Sequence, residues 1–170
     1  MKKGNLMSEP FTYIFIVVVI ALIVFFGFKY IRDLTSFGCE VEAKKFVLDF
    51  KDKVDKVESF SAGSKTKESM YTPAGIVGVC FVDPTYSGLK VDSVKFIDVK
   101  DEVASFVDAG VLREQMFFSK SLNSNDKCVP DRTRIENFKV ANGITCFDTS
   151  VGSFTFFLEN KGKYVEISNK

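Results

Sequence analysis

Three observations predict an α+β fold carrying one membrane-spanning helix. They are an uncharged apolar run near the start, a charged helical pattern with a single apolar stripe after it, and a series of short strand-like runs beyond that. The expected organisation is a short cytoplasmic N-terminus or leader over residues 1–10, a transmembrane helix with its juxtamembrane segment over 11–34, and an extracytoplasmic α+β domain over 35–170. Within that domain a helix at about 39–60 is expected to pack on an antiparallel β-sheet whose strands begin near residue 76.

The apolar run carries the membrane assignment. Residues 11–28 read FTYIFIVVVIALIVFFGF, and 14 of the 18 are Phe, Ile, Val or Leu. At about 1.5 Å per residue such a helix is roughly 27 Å long, close to the hydrocarbon thickness of a bilayer. At roughly −0.3 to −0.6 kcal/mol for each such residue, insertion is favoured by about 4 to 8 kcal/mol before Thr12, Tyr13 and Gly27 are set against it. A cleaved secretory signal fits less well, because the run is too long for an h-region and Lys29, Arg32 and Asp33 charge the segment that should be neutral. Lys2 and Lys3 precede the run while Lys29 and Arg32 follow it, so flanking charge alone barely orients it. The four cysteines downstream, Cys39, Cys80, Cys128 and Cys146, point to an oxidising compartment, which places the N-terminus in the cytoplasm and the domain outside.

The residues ahead of the run, Met-Lys-Lys-Gly-Asn-Leu-Met-Ser-Glu-Pro-Phe, resemble the class III signal peptide of type IV pilins and their archaeal relatives. The resemblance covers about eleven residues and the helix layout. It implies cleavage after Gly4, a new amino terminus at Asn5, and a role for Glu9 in pairing with the terminal amine of a neighbouring subunit. It also implies self-association through the apolar helix. Ser8-Glu9-x-Phe11 is similar to the Ser-Glu-Phe of archaeal pilins with Pro10 inserted. A plain signal anchor explains the same residues without a peptidase: Ser8 as N-cap, Glu9 in the first turn where a carboxylate suits the helix dipole, and Pro10 near the first helical position.

After a break expected at Thr35-Ser36-Phe37-Gly38, the spacing of Ala43, Val47, Phe50, Val54 and Val57, with Phe46 beside them, predicts one apolar stripe from Cys39 to Phe60. Glu40 with Lys44, Asp49 with Lys53 and Asp52 with Lys56 are candidate ion pairs four apart. With the membrane helix this makes nearly fifty residues of almost continuous helix, a layout similar to the long first helix of a pilin.

Ser61 to Glu68 is small and polar and reads as a loop. Strands are expected at 76–82, 94–99, 115–118, 135–140, 144–147, 154–158 and 164–167, and a short helix at 101–109. Asn142-Gly143 and Asn160-Lys161-Gly162 are turn signals. Four cysteines allow three pairings. Cys128 with Cys146 is the pair closest in sequence, and Cys39 would then reach Cys80.

The remaining features exclude chemistry rather than suggest it. With no histidine in the chain, Ser-His and Cys-His catalysis and the common zinc sites are not expected. The formal charge is +1, so nothing steers nucleic acid. Ser69-Met70-Tyr71-Thr72-Pro73 is similar to the Ser-Met-x-Pro of membrane-anchored signal peptidases with one residue inserted, and Ser64-Lys65-Thr66-Lys67 fits Ser-x-x-Lys, which leaves an anchored Ser-Lys hydrolase as a minor alternative. The polar turn Asn123-Ser124-Asn125-Asp126 lacks calcium-loop spacing. The expectation is therefore a non-enzymatic, pilin-like or pseudopilin-like structural subunit, or else a membrane-tethered interaction module. Its partner is the lipid bilayer, with no cofactor, metal, nucleic acid or small-molecule ligand.

Overall fold

The computed structural model describes residues 9–86, 88–121 and 128–169, and their side chains except at 9–11, 32–36 and 93. The expected polar turn at 123–126 lies outside these residues. The chain divides into two compact units, Met1–Gly38 and Cys39–Lys170.

One helix, α1 (Glu9–Glu58), runs across the expected break. A single glycine inside a helix costs about 1 kcal/mol and Ser or Thr less, while each residue added to an existing helix gains a hydrogen bond. Two strong helical segments on either side therefore carry Thr35 to Gly38 with them. In the first unit the side chains of α1 over Thr12–Ile31 are mostly apolar and exposed. In the second it buries the predicted stripe: Ala43, Phe46, Phe50, Val54 and Val57 are buried, with Val47 partly so.

The second unit continues with β1 (Lys65–Tyr71), β2 (Ile76–Val82), a single 3-10 turn at Val91–Ser93, α2 (Ile97–Asp108), β3 (Met116–Lys120), β4 (Phe138–Val140), β5 (Ile144–Asp148), β6 (Ser153–Asn160) and β7 (Val165–Ser168). The fold is α+β as expected, but it contains two sheets, ordered β1-β6-β7-β4 and β3-β2-β5. All pairs are antiparallel except β4 with β7, which run parallel.

Two of the expected elements are corrected. The loop expected through Glu68 contains most of β1, which pairs with β6 over seven positions from Lys65↔Glu159 to Tyr71↔Ser153. As an edge strand it buries only Met70, so it carries no apolar alternation, and its lysines suit an unprotected edge. The strand expected at 94–99 is instead the approach to α2. Val99 and Val103, one helical turn apart, are buried, while Ile97 is 77% exposed. Asp98 fixes the first turn of α2 against β3, its carboxylate accepting from Ser119 Oγ at 2.9 Å and the Lys120 N–H at 3.3 Å.

β2 reads as an unbroken apolar run because both of its faces are buried. Val79 and Phe81 join the main core with α1 and the first sheet, whereas Cys80 and Val82 face α2 with Phe117. Gly78 is required here: the Phe96 ring lies across it, and a Cβ would meet the ring at 2.2 Å. In the main core Phe50 touches Phe81, Phe138 and Phe156, with ring centroids 4.8, 5.6 and 5.6 Å away. One helical residue thus contacts both sheets.

The end of α1 is capped from far along the chain. Asn160 Nδ2 donates to the carbonyls of Val57, Glu58 and Phe60 at 3.3, 2.9 and 2.8 Å, and its Oδ1 accepts the Gly162 N–H at 2.6 Å. Of the expected ion pairs, Glu40 with Lys44 forms at 2.6 Å, but Lys53 pairs across to Glu68 on β1 rather than with Asp49.

Candidate functional site: the apolar helix and the disulfide frame

The N-terminal part of α1 holds one stretch, Thr12–Ile31, that is long and apolar enough to cross a membrane. Its 20 residues give about 30 Å of helix, matching the hydrocarbon core. Its large side chains stand open, with Phe15 69% and Phe25 68% exposed and Ile14, Ile23, Phe28 and Ile31 similarly bare. A monomeric soluble protein rarely leaves so large a contiguous apolar surface in water. Tyr13 and Tyr30 mark the two ends, where ring and hydroxyl suit the interface between lipid and water. A buried core helix would show the opposite pattern. The same exposure is compatible with a membrane anchor or a signal segment.

Of the residues the leader resemblance singles out, Gly4 and Asn5 lie outside the described residues, and Glu9 is the first residue of α1. Pro10 follows it.

All four cysteines are oxidised, but in a different pairing from the one sequence proximity suggests. Cys39 bonds Cys128 and Cys80 bonds Cys146, with Cα separations of 4.9 and 4.0 Å. The reason is topological. β2 lies between β3 and β5, and Cys80 and Cys146 stand directly opposite in the β2–β5 register. Proximity along the chain ignores this crossover. The available signal was that both cysteines sit inside strand-like runs, whereas Cys128 and Cys39 do not. Cys39 opens the second unit and Cys128 precedes Val129, which packs on the main core. That bond therefore fastens the helical start of the unit to the segment between β3 and β4.

The serines of the hydrolase alternative lie on β1 and in the turn before it. Ser69 is exposed on β1, in a groove of about 570 Å³ between this strand and α1. The nearby Lys53 is held by Glu68. Ser64 lies in the turn before β1, its N–H donating to the Ser61 carbonyl at 3.0 Å.

A second groove, of about 800 Å³, opens where the turn after β2, the start of β3, the segment leading into β4, and the β6–β7 hairpin meet. Gln115 forms its floor and joins the two sheets. Its Nε2 donates to the Phe138 carbonyl at 2.9 Å and its Oε1 accepts the Ile135 N–H at 2.7 Å, so a side-chain amide takes the place of a strand beside β4. The sequence marked Gln115 only as the start of an expected strand, because a lone glutamine carries no signal of a bridging role.

Comparison with protein-family models, curated proteins and solved structures returned no match.

Proposed function

We propose that this chain is a single-pass membrane protein, with its N-terminus in the cytoplasm and its disulfide-linked domain on the oxidising side, and that it serves as a pilin-like or pseudopilin-like structural subunit. The supporting observation is the stretch Thr12–Ile31, whose apolar side chains face outward on every side and call for an equally apolar surrounding, either lipid or the same helix of other copies. The two disulfides in the following unit support the extracytoplasmic side, since such bonds persist in oxidising compartments.

A second reading is a tethered interaction module that keeps its leader. It is motivated by the sequence Ser8-Glu9-Pro10, which suits the start of an anchor helix without any peptidase. Intact mass of the membrane-extracted, non-reduced protein separates the two. A chain that has lost Met1 to Gly4 and begins at Asn5 is expected for the subunit. A full-length chain would overturn the processed-subunit reading in favour of the anchor.

A further inference from the structure

We propose that the groove floored by Gln115 binds an acidic saccharide, a role beyond the structural one above and contrary to the sequence expectation of no small-molecule ligand. Its volume of about 800 Å³ falls in the usual range for ligand sites, roughly 300–1,000 Å³. Its base is already fixed. Gln115 is buried with both ends of its amide engaged. Asp83 is also buried, one carboxylate oxygen accepting the Thr85 N–H at 2.8 Å and the Thr85 hydroxyl at 2.6 Å.

The rim carries Arg134, Lys139 and Lys163, all exposed, and none of them forms an ion pair among the described residues. Their near neighbours behave differently. Arg132, two residues before Arg134, pairs with Glu102, and Lys161, two before Lys163, pairs with Glu159 at 2.6 Å and Glu166 at 3.6 Å. The cations that face the groove thus form no ion pair among the described residues, as is also true of the exposed Lys45, Lys51 and Arg113; what sets Arg134, Lys139 and Lys163 apart is that all three line one groove. Lys139 rests over the Tyr164 ring at 4.9 Å, which orders it without neutralising it.

The same walls also offer acceptors. Glu136 lines the groove, and Asn137, whose Nδ2 donates to Glu58 at 2.9 Å, keeps its Oδ1 available. A bare phosphate chain would bring negative oxygens against these acceptors and has no hydrogen to give them. An acidic saccharide carries both kinds of group: its carboxylates or sulfates accept from the guanidinium and ammonium groups, and its hydroxyls donate to Glu136 and Asn137. Arg134 in particular presents the planar fork that fits a carboxylate.

The test uses the full chain in polyoxyethylene micelles, whose headgroups contain no sugar, with trigalacturonic acid as probe and calorimetry as readout. Trigalacturonic acid is expected to bind, and Arg134→Gln and Lys163→Gln are each expected to weaken it about tenfold, in line with the loss of a charge-assisted hydrogen bond. Lys51→Gln, on the exposed side of α1, is expected to change nothing. Both rim residues are exposed, so the variants should keep the near-UV circular dichroism of the parent. Absence of binding at millimolar probe, or equal binding by the parent and both rim variants, would overturn the site. Equal binding of maltotriose or tripolyphosphate would overturn the ligand class. None of these outcomes bears on terminal processing, so failure here is distinguishable from failure of the subunit reading.

Discussion

Replacing Phe50 by alanine isolates what holds α1 to the sheets. The side chain is fully buried, and its ring meets three others, from β2, β4 and β6, at centroid distances between 4.8 and 5.6 Å. Removing it forfeits roughly 2–3 kcal/mol of apolar transfer. It also loses ring contacts worth about 0.5–1.5 kcal/mol each, and it leaves a cavity. These terms overlap, and Phe→Ala substitutions in cores cost about 3–5 kcal/mol; a site between two sheets cannot collapse easily, so the upper part of that range is expected. Leu48→Ala on the same helix, at a side chain 60% exposed, is the control and should cost under about 0.5 kcal/mol. Guanidinium unfolding of the oxidised full chain in uncharged micelles, followed by the near-UV signal of the domain's tyrosines, measures both. A Phe50→Ala cost below about 1 kcal/mol, or one no greater than that of Leu48→Ala, would refute the packing argument.

The other predictions concern bonds rather than packing. Proteolysis without reduction should release peptides joined through Cys39–Cys128 and Cys80–Cys146. With partners 89 and 66 positions apart in sequence, removing either bond by paired Cys→Ser changes should cost at most about 4.6 and 4.4 kcal/mol, and the two effects should not add because the loops overlap. Asn160→Ala strips three carbonyls at the end of α1 of a shared donor and should cost about 2–3 kcal/mol in the same unfolding assay, whereas Asn160→Asp should not rescue it, since a carboxylate cannot donate. The Ser150 backbone N–H donating to Asp148, joined by the Ser150 side chain, holds that carboxyl below the usual aspartate value. A depressed folded value means the contribution is present above the unfolded value and is lost as pH falls through the folded one. Carbon-detected NMR should therefore place the Asp148 midpoint below those of aspartates lacking such a partner, and Ser150→Pro, which removes the N–H, should raise it.

How much of this was legible in the sequence depends on whether a residue's neighbours are local. The stripe from Ala43 to Val57 was readable because a helix sets its own periodicity, and the structure buries that stripe. β2 was readable because a strand covered on both faces must be apolar throughout. β1 was hidden because an edge strand owes its conformation to β6, almost ninety residues away, and shows only Met70 to the core. The segment 94–99 misled because Val94, Phe96 and Ile97 imitate a strand, while the Val99–Val103 spacing that makes the helix starts only later. The cystine pairing and the Gln115 bridge depend on strand order, which no local pattern encodes.

The proposed subunit and the proposed anchor differ in little of their apolar energetics. Lipid chains and neighbouring helices offer Thr12–Ile31 nearly the same surroundings, so moving from one to the other changes hydrophobic free energy only slightly. Close backbone approach would tip the balance toward helix association, but the small residues Ala21 and Gly27 lie six apart and do not form the four-residue spacing that brings helices together. Side-chain packing is therefore a weak discriminator for this helix. What remains is charge at its start. Under the pilin-like reading, cleavage after Gly4 creates an amine at Asn5 four residues before Glu9. In a low-dielectric assembly an amine and a carboxylate from adjacent copies attract far more strongly than in water. Under either proposed reading the apolar helix would keep the chain in the bilayer, and under the pilin-like one the amine made by processing would favour joining other copies.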